Sequence, residues 1–108
     1  MASFYSNQLI AGAFGGTFEI RFTWDENKRA LNQVKHGLDL LDARELFDGR
    51  SVVTFASPRG DEARLVSVGL LRGRMVAVVW LVRDGDTRLI SLRSARSGEK
   101  GKYRQIHG

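Results

Sequence analysis

Apolar and polar residues alternate in the N-terminal part of the chain and then change to helical spacing. A period of two, typical of a half-buried strand, is set by Phe18, Ile20 and Phe22. Apolar residues then recur at helical spacing between Asp25, a residue type that caps helix N-termini, and Gly37, a residue type that ends helices. A second helix is predicted between residues 38 and 48. The pattern therefore predicts one strand followed by two helices.

The rest of the chain is dominated by strand patterns. Four strands are predicted near residues 51–55, 63–71, 75–82 and 87–93, and the turn signal Asp84-Gly85 joins the last two as a hairpin. A short final helix is predicted over residues 94–105. The predicted fold class is α+β, with an N-terminal strand, two helices, a four-strand antiparallel meander and a C-terminal helix.

One domain is predicted over residues 18–108, because 108 residues fit a single domain. Residues 1–17 carry no charge and are interpreted as an N-terminal extension that is either disordered or covers an apolar surface. No apolar run approaches the length of a membrane-spanning helix, and no basic segment precedes the apolar stretch of residues 9–14. We therefore expect a cytoplasmic protein with neither a membrane association nor a secretory signal.

The charge balance narrows the class of partner. Lysine and arginine number 17 against 12 acidic residues, which gives a net charge of +5. A field of that sign attracts polyanions, namely RNA, DNA or an acidic protein. The chain has no cysteine, which excludes disulfides, thiolate chemistry and cysteine zinc sites.

Few catalytic classes fit the remaining residue types. Only His36 and His107 offer imidazole ligands, the acidic residues are scattered, and no metal-ligand spacing, phosphate-binding glycine loop or nucleophile elbow occurs. We expect no metal and no cofactor. The surplus of arginine with a few acids suits metal-free RNA cleavage, which needs a base for the 2′-OH, cations for the charged phosphorane and an acid for the leaving 5′-oxygen.

Five segments in order resemble the BrnT family of toxins. They are Trp24-Asp25-Glu26-Asn27-Lys28 with Asn32 and Lys35-His36-Gly37, then Ala43 with Phe47-Asp48, then Glu62-x-Arg64 with Gly69, then Arg88-x-Ile90-Ser91-x-Arg93-x-Ala95, and finally Glu99-Lys100-x-x-Tyr103. Each segment alone is weak, but their order and spacing together are specific. The resemblance covers residues 18–104.

The resemblance implies a fold, an activity and a partner. The implied fold is similar to that of the RelE class of ribonuclease toxins, and the implied activity is RNA cleavage that inhibits translation. The implied partner is a BrnA-like antitoxin with a ribbon-helix-helix domain. Toxin and antitoxin would form a two-plus-two complex that contacts operator DNA only through the antitoxin.

Five residues are the predicted catalytic group. They are Lys35, His36, Glu62, Arg64 and Arg93. Arg64 and Arg93 are predicted to bind the scissile phosphate, because the guanidinium fork binds two phosphate oxygens together. Lys35 or His36, together with Glu62, is predicted to transfer protons. The alternatives stay open: Lys35-His36 as a cation pair at a helix C-terminus, and Glu62 with Arg64 as a salt bridge between strands.

Four further residues are predicted to bind RNA, namely Trp24, Arg96, Lys100 and Tyr103. Trp24 would stack on a base, Tyr103 would stack on a base or donate a proton, and Arg96 and Lys100 would contact phosphates. A core position for Trp24 and a packing role for Tyr103 are the structural alternatives. At the level of the whole protein, the alternatives to a ribonuclease are a nucleic-acid-binding module without catalysis and an antitoxin-binding subunit that has lost its activity.

Overall fold

The computed structural model describes residues 3–11, 16–59 and 63–108. Its elements are β1 (Ser3–Ala11), β2 (Thr17–Asp25), α1 (Glu26–His36), a 3₁₀ helix (Leu40–Phe47), β3 (Val52–Ala56), β4 (Leu65–Leu71), β5 (Arg74–Arg83), β6 (Asp86–Ser94) and α2 (Ser97–His107). Among these described residues no helix is long and apolar enough to cross a membrane.

The six strands form one mixed sheet in the order β1-β2-β6-β5-β4-β3. β3 to β6 pair antiparallel with their chain neighbours, whereas β2 pairs parallel with β6 through Phe22 with Thr87 and Thr23 with Arg88. The predicted RelE-like fold class, with a four-strand antiparallel meander and one separate N-terminal strand, is therefore wrong. A local pattern carries no information on which distant strand β2 joins, and that pairing makes the sheet mixed.

The N-terminal residues add the sixth strand. β1 pairs antiparallel with β2 along its whole length, from Ser3 opposite Asp25 to Ala11 opposite Thr17. Strand β1 thus occupies one edge of the sheet, and β3 occupies the other. The predicted domain boundary between residues 17 and 18 stays a prediction, although this pairing attaches residues 3–11 to the sheet.

The face of the sheet that packs against the 3₁₀ helix, which we call the covered face, holds the larger core. Its fully buried side chains are Phe22, Leu40, Val76, Val78, Leu89 and Leu92. Phe47 adds edge-to-face ring contacts to Phe22 and Trp80 at centroid distances of 5.3 and 5.1 Å. Burial of this apolar surface is the main source of stability, at about 25 cal/mol per Å².

Helix α1 begins and ends where the sequence predicts. The Asp25 side chain accepts a hydrogen bond from the Asn27 backbone N–H, and Gly37 adopts the left-handed conformation at φ 67°. Inside the helix, buried Asn32 donates from Nδ2 to the carbonyls of Leu38 and Leu92 and accepts from the Leu92 N–H at 2.8 Å. Asn32 therefore takes the place of a strand partner for β6 and fixes α1 to the sheet.

The opposite face, which we call the groove face, is only partly covered. Val66, Val68 and Ala77 form its small buried cluster with Ala95, and Tyr103 of α2 packs against them. The register of β5 with β6 shifts after Val79, so that Ile90 lies opposite no residue of β5. Such a bulge turns side chains to the other face, and Leu89 and Leu92 both reach the covered core while Ser91 and Arg93 line the open side.

A basic groove as the candidate functional site

A groove of about 930 Å³ lies on the groove face between α1 and α2. Four parts of the chain line it: α1 on one side, the end of β3 with the start of β4, β5 through Val79, and β6 with the first turns of α2. Its apolar floor is formed by Phe55, Val66, Val79 and Ile90. The groove therefore collects side chains that lie far apart in the sequence.

Positive charge dominates the groove. Seven cationic side chains in the described part of the chain line it, namely Lys28, Lys35, Arg59, Arg64, Arg93, Arg96 and Lys102. Among the lining residues that the structure describes, Glu99 is the one carboxylate. A concave surface with cations on all sides concentrates the positive potential and attracts an extended polyanion.

Arg93 and Glu99 form the best-defined ion pair of the groove. Arg93 donates from both terminal nitrogens to the two carboxylate oxygens at 2.7 and 2.9 Å, and only 14% and 12% of the two side chains are exposed. The Arg93 guanidinium, with help from the Arg96 backbone N–H, holds the pKa of Glu99 below its usual range against the opposing effect of burial. Arg93 is thereby held in one orientation across the groove.

Arg64 differs from Arg93 because its guanidinium has unused capacity. Its Nε is buried and has no hydrogen-bond partner within the described part of the chain. A buried guanidinium nitrogen without a partner is costly, and it becomes satisfied when an anion binds. Arg64 is therefore a candidate for binding a phosphate oxygen in this groove.

His36 stands in an environment that favours the neutral imidazole. Burial lowers the pKa of His36, and the positive charges of Lys35 and Arg93 lower it further. The imidazole is therefore uncharged at neutral pH and able to accept a proton. Lys35 lies beside it at the exposed end of α1.

The structure brings four of the predicted catalytic residues to this one groove, namely Lys35, His36, Arg64 and Arg93. The fifth, Glu62, lies outside the described residues. Their catalytic roles stay predictions. No group of three or more histidine, cysteine or acidic side chains suited to a metal ion occurs among the described residues.

The predicted RNA-binding residues separate into two groups. Arg96 lines the groove, whereas Trp24, Lys100 and Tyr103 are not part of its lining. Trp24 is buried in the core of the covered face, where its Nε1 donates to Glu26 and its ring stacks on Phe4. Tyr103 packs α2 against the sheet. Trp24 therefore has the core position, and Tyr103 the packing role, that the sequence left open as alternatives to a contact with RNA.

Several groove residues carried no distinctive signal in the sequence. Lys102 Nζ lies 4.0 Å from the ring centroid of Phe55, which places a cation directly over an aromatic face. Arg59 follows the only proline, in a turn where a charged residue is usually just solvated. Lys102 follows Glu99 by three residues on α2, a spacing that puts both on one face of the helix but does not by itself predict a groove position.

Comparison with known protein families agrees with this geometry. A family model of the ribonuclease toxins of type II toxin–antitoxin systems matches residues 24–99, which include both α1 and the strands that line the groove. The chain belongs to this family, the BrnT toxins. A search of the curated proteins found no match.

Membership of the family has two direct consequences. The protein is a ribonuclease toxin of the type II class, and such a toxin has an antitoxin as its partner. The basic groove is consistent with an RNA substrate, because phosphate contacts supply most of the affinity of proteins for nucleic acids.

Proposed function

We propose that the protein is an endoribonuclease that cleaves RNA in the basic groove without a metal ion and thereby inhibits translation. The observation that carries the proposal is that one groove holds both the His36 imidazole, whose pKa is lowered, and Arg64, whose Nε has no hydrogen-bond partner among the described residues. A metal-free mechanism needs this combination of a proton acceptor and fixed positive charge.

The proposed reaction is attack of a ribose 2′-oxygen on the adjacent phosphorus. The imidazole of His36 takes the 2′-OH proton, with Lys35 or Glu62 as the other candidates for proton transfer. The P–O5′ bond breaks, the 5′-oxygen leaves with a proton from an acid, and a 2′,3′-cyclic phosphate remains on the upstream fragment. Arg64 binds the phosphate oxygens, and Arg93 adds positive charge from its fixed position on Glu99.

The requirement for a 2′-OH restricts the substrate to RNA. Arg96, Lys28, Arg59 and Lys102 then extend the phosphate contacts along the groove. Lys100, Trp24 and Tyr103 receive no support from their positions for a direct contact with RNA in this groove.

The proposed antitoxin is a BrnA-like protein with a ribbon-helix-helix domain that silences the toxin in a two-plus-two complex. In that complex the toxin contacts operator DNA only through the antitoxin. Support comes from the membership of a type II family, in which toxin and antitoxin act as a pair. Co-expression of the toxin with such a partner is expected to restore growth that the toxin alone arrests.

The decisive experiment is digestion of single-stranded RNA by the purified protein in the presence of a chelator. Arg64→Gln is expected to reduce the cleavage rate by about 100- to 1,000-fold, because one preformed anion-binding donor is lost. Arg104→Gln removes the same charge from α2 outside the groove lining and is the matched control. The upstream products are expected to carry 2′,3′-cyclic phosphates, which mass spectrometry detects.

Three outcomes would contradict parts of this proposal. Full activity of Arg64→Gln would remove Arg64 from the catalytic group. Loss of cleavage on adding the chelator would contradict the metal-free mechanism. Salt-dependent RNA binding without cleavage or growth arrest would favour the alternative, a nucleic-acid- or antitoxin-binding module without catalysis.

A further inference from the structure

The aromatic ring in the floor of the groove has an unusual position for a core residue. Phe55 lies on β3, an edge strand of the sheet, and packs against the small cluster that includes Val66. Its ring also lines the groove and is only partly buried. One part of the ring thus belongs to the core, and another is available from the groove.

A lysine ammonium occupies the available side of this ring. The Lys102 ammonium lies 4.0 Å from the ring centroid, and the lysine side chain is exposed on α2. A lysine over an exposed ring is held weakly, because water competes for the ammonium. A nucleobase stacked on the same ring face is held more strongly than an exposed lysine.

The surroundings of Phe55 match the chemistry of a nucleotide. The ring offers a flat apolar surface, and Arg59, Arg64 and Lys102 line the same groove as donors for the phosphates of a bound nucleotide chain. Aromatic rings placed between basic side chains are the general design of surfaces that bind single-stranded nucleic acid.

We propose that Phe55 is the stacking platform for one base of single-stranded RNA, and that Lys102 leaves the ring to contact a neighbouring phosphate when the base binds. The inference rests on the proposed function, since it names a base subsite within the RNA groove. Because any base has an aromatic face, the subsite favours unpaired RNA over a duplex more than it favours one base over another.

The test measures binding of a single-stranded oligonucleotide with 2′-fluoro riboses, which the proposed mechanism cannot cleave. Phe55→Leu keeps an apolar side chain in the cluster but removes the aromatic face, and it is expected to weaken binding about 5- to 150-fold. Phe55→Trp is expected to retain binding. Phe18→Leu, at another partly exposed phenylalanine that does not line the groove, is the matched control and is expected to bind like the wild type.

An abasic scan separates stacking from a general disturbance of the groove. Removing one base of the oligonucleotide at a time is expected to weaken wild-type binding strongly at one position, and to have no additional effect at that position in Phe55→Leu. Lys102→Met is expected to reduce the salt dependence of binding by about one phosphate contact, whereas Phe55→Leu leaves the salt dependence unchanged.

The outcomes distinguish this inference from the proposed function. If the wild type cleaves RNA and Phe55→Leu binds the oligonucleotide as tightly as the wild type, the stacking platform is refuted and the ribonuclease proposal stands. Equal losses at every abasic position in both proteins would refute the platform as well. If the wild type neither binds nor cleaves RNA, the proposed function fails and the subsite fails with it.

Discussion

The same strands form two different faces of the sheet. The covered face holds the main hydrophobic core, and the groove face supports the cationic groove. On the covered face, Val76 and Val78 of β5 are fully buried under the 3₁₀ helix. On the groove face, the alternate residues of that strand, Ala77 and Val79, lie beneath a surface lined by cations. One strand therefore contributes to the main hydrophobic core with half of its residues and supports the charged groove with the other half.

This division lets the protein keep seven positive charges close together. Like charges in one groove repel each other and oppose folding, and within the described ranges Arg93 alone among them has a well-buried acidic partner. The hydrophobic core on the other face offsets that repulsion. We therefore expect substitutions in the groove to change activity far more than stability, and substitutions on the covered face to do the opposite.

The largest expected effect is on the groove face and spares stability. His36→Ala is expected to lower the RNA cleavage rate by about 100- to 10,000-fold, since it removes the proposed base. His107→Ala, at the other histidine of the chain, is the matched control because His107 does not line the groove. Chemical denaturation of His36→Ala is expected to match that of the wild type, and a large loss of stability would contradict the separation of the two faces.

The pH dependence of cleavage sharpens the same prediction. Burial and the charges of Lys35 and Arg93 lower the pKa of His36 below its ordinary 6.5. The rate should therefore fall with decreasing pH, with a midpoint below 6.5, and it should be independent of this group at neutral pH. Lys35→Gln is expected to move the midpoint upward, because one repelling charge is removed. A midpoint that does not move would exclude His36 as the group that titrates.

The second prediction concerns Asn32, the residue that joins α1 to the sheet. A substitution there is expected to affect both stability and activity. Asn32→Ala leaves the buried N–H and C=O of Leu92 without a partner, and we expect it to cost about 3 kcal/mol of unfolding free energy. Cleavage by the folded fraction is expected to fall as well, because the helix that carries Lys35 and His36 loses its anchor. Asn27→Ala, at an exposed position of the same helix, is the control, and equal stability of the two variants would contradict this role of Asn32.

The smallest expected effects come from two glycines, Gly69 next to the covered core and Gly101 on α2. A Cβ on Gly69 would lie 3.0 Å from Val52 and 3.2 Å from Leu46 of the 3₁₀ helix, so Gly69→Ala is expected to destabilise the protein by about 2 kcal/mol. Gly101→Ala has open space around its Cβ and is expected to stabilise α2 by about 1 kcal/mol. Thermal denaturation measures both changes. Impaired cleavage by folded Gly69→Ala at low temperature would contradict the independence of the two faces.

Features that depend on neighbouring residues could be predicted from the sequence. The cap at Asp25, the end of α1 at Gly37 and the hairpin at Asp84-Gly85 are confirmed, and both hairpin residues have the positive φ that a tight turn between twisted strands requires. Each of these is decided by backbone geometry within a few residues.

Features that depend on distant residues could not be predicted in this way. The parallel pairing of β2 with β6, the bulge at Ile90 and the contact of Asn32 with Leu92 join segments about sixty residues apart or shift a register. The family resemblance, and not the local pattern, brought Lys35, His36, Arg64 and Arg93 into one group. Phe55 and Lys102 were missed, because an apolar strand residue and a helical lysine have the same appearance in a sequence whether or not they line a site.

The parallel pairing of β2 with β6 joins a part of the chain that is synthesised early to a part that is synthesised late. β2 and α1 are synthesised early, but their partners Thr87, Arg88 and Leu92 leave the ribosome much later. Until then α1 has no anchor on β6, and the imidazole at its end has no guanidinium opposite it. Because Arg93, Arg96 and Lys102 also line the groove, the groove is complete only after residue 102 has emerged, and shorter partial chains lack it.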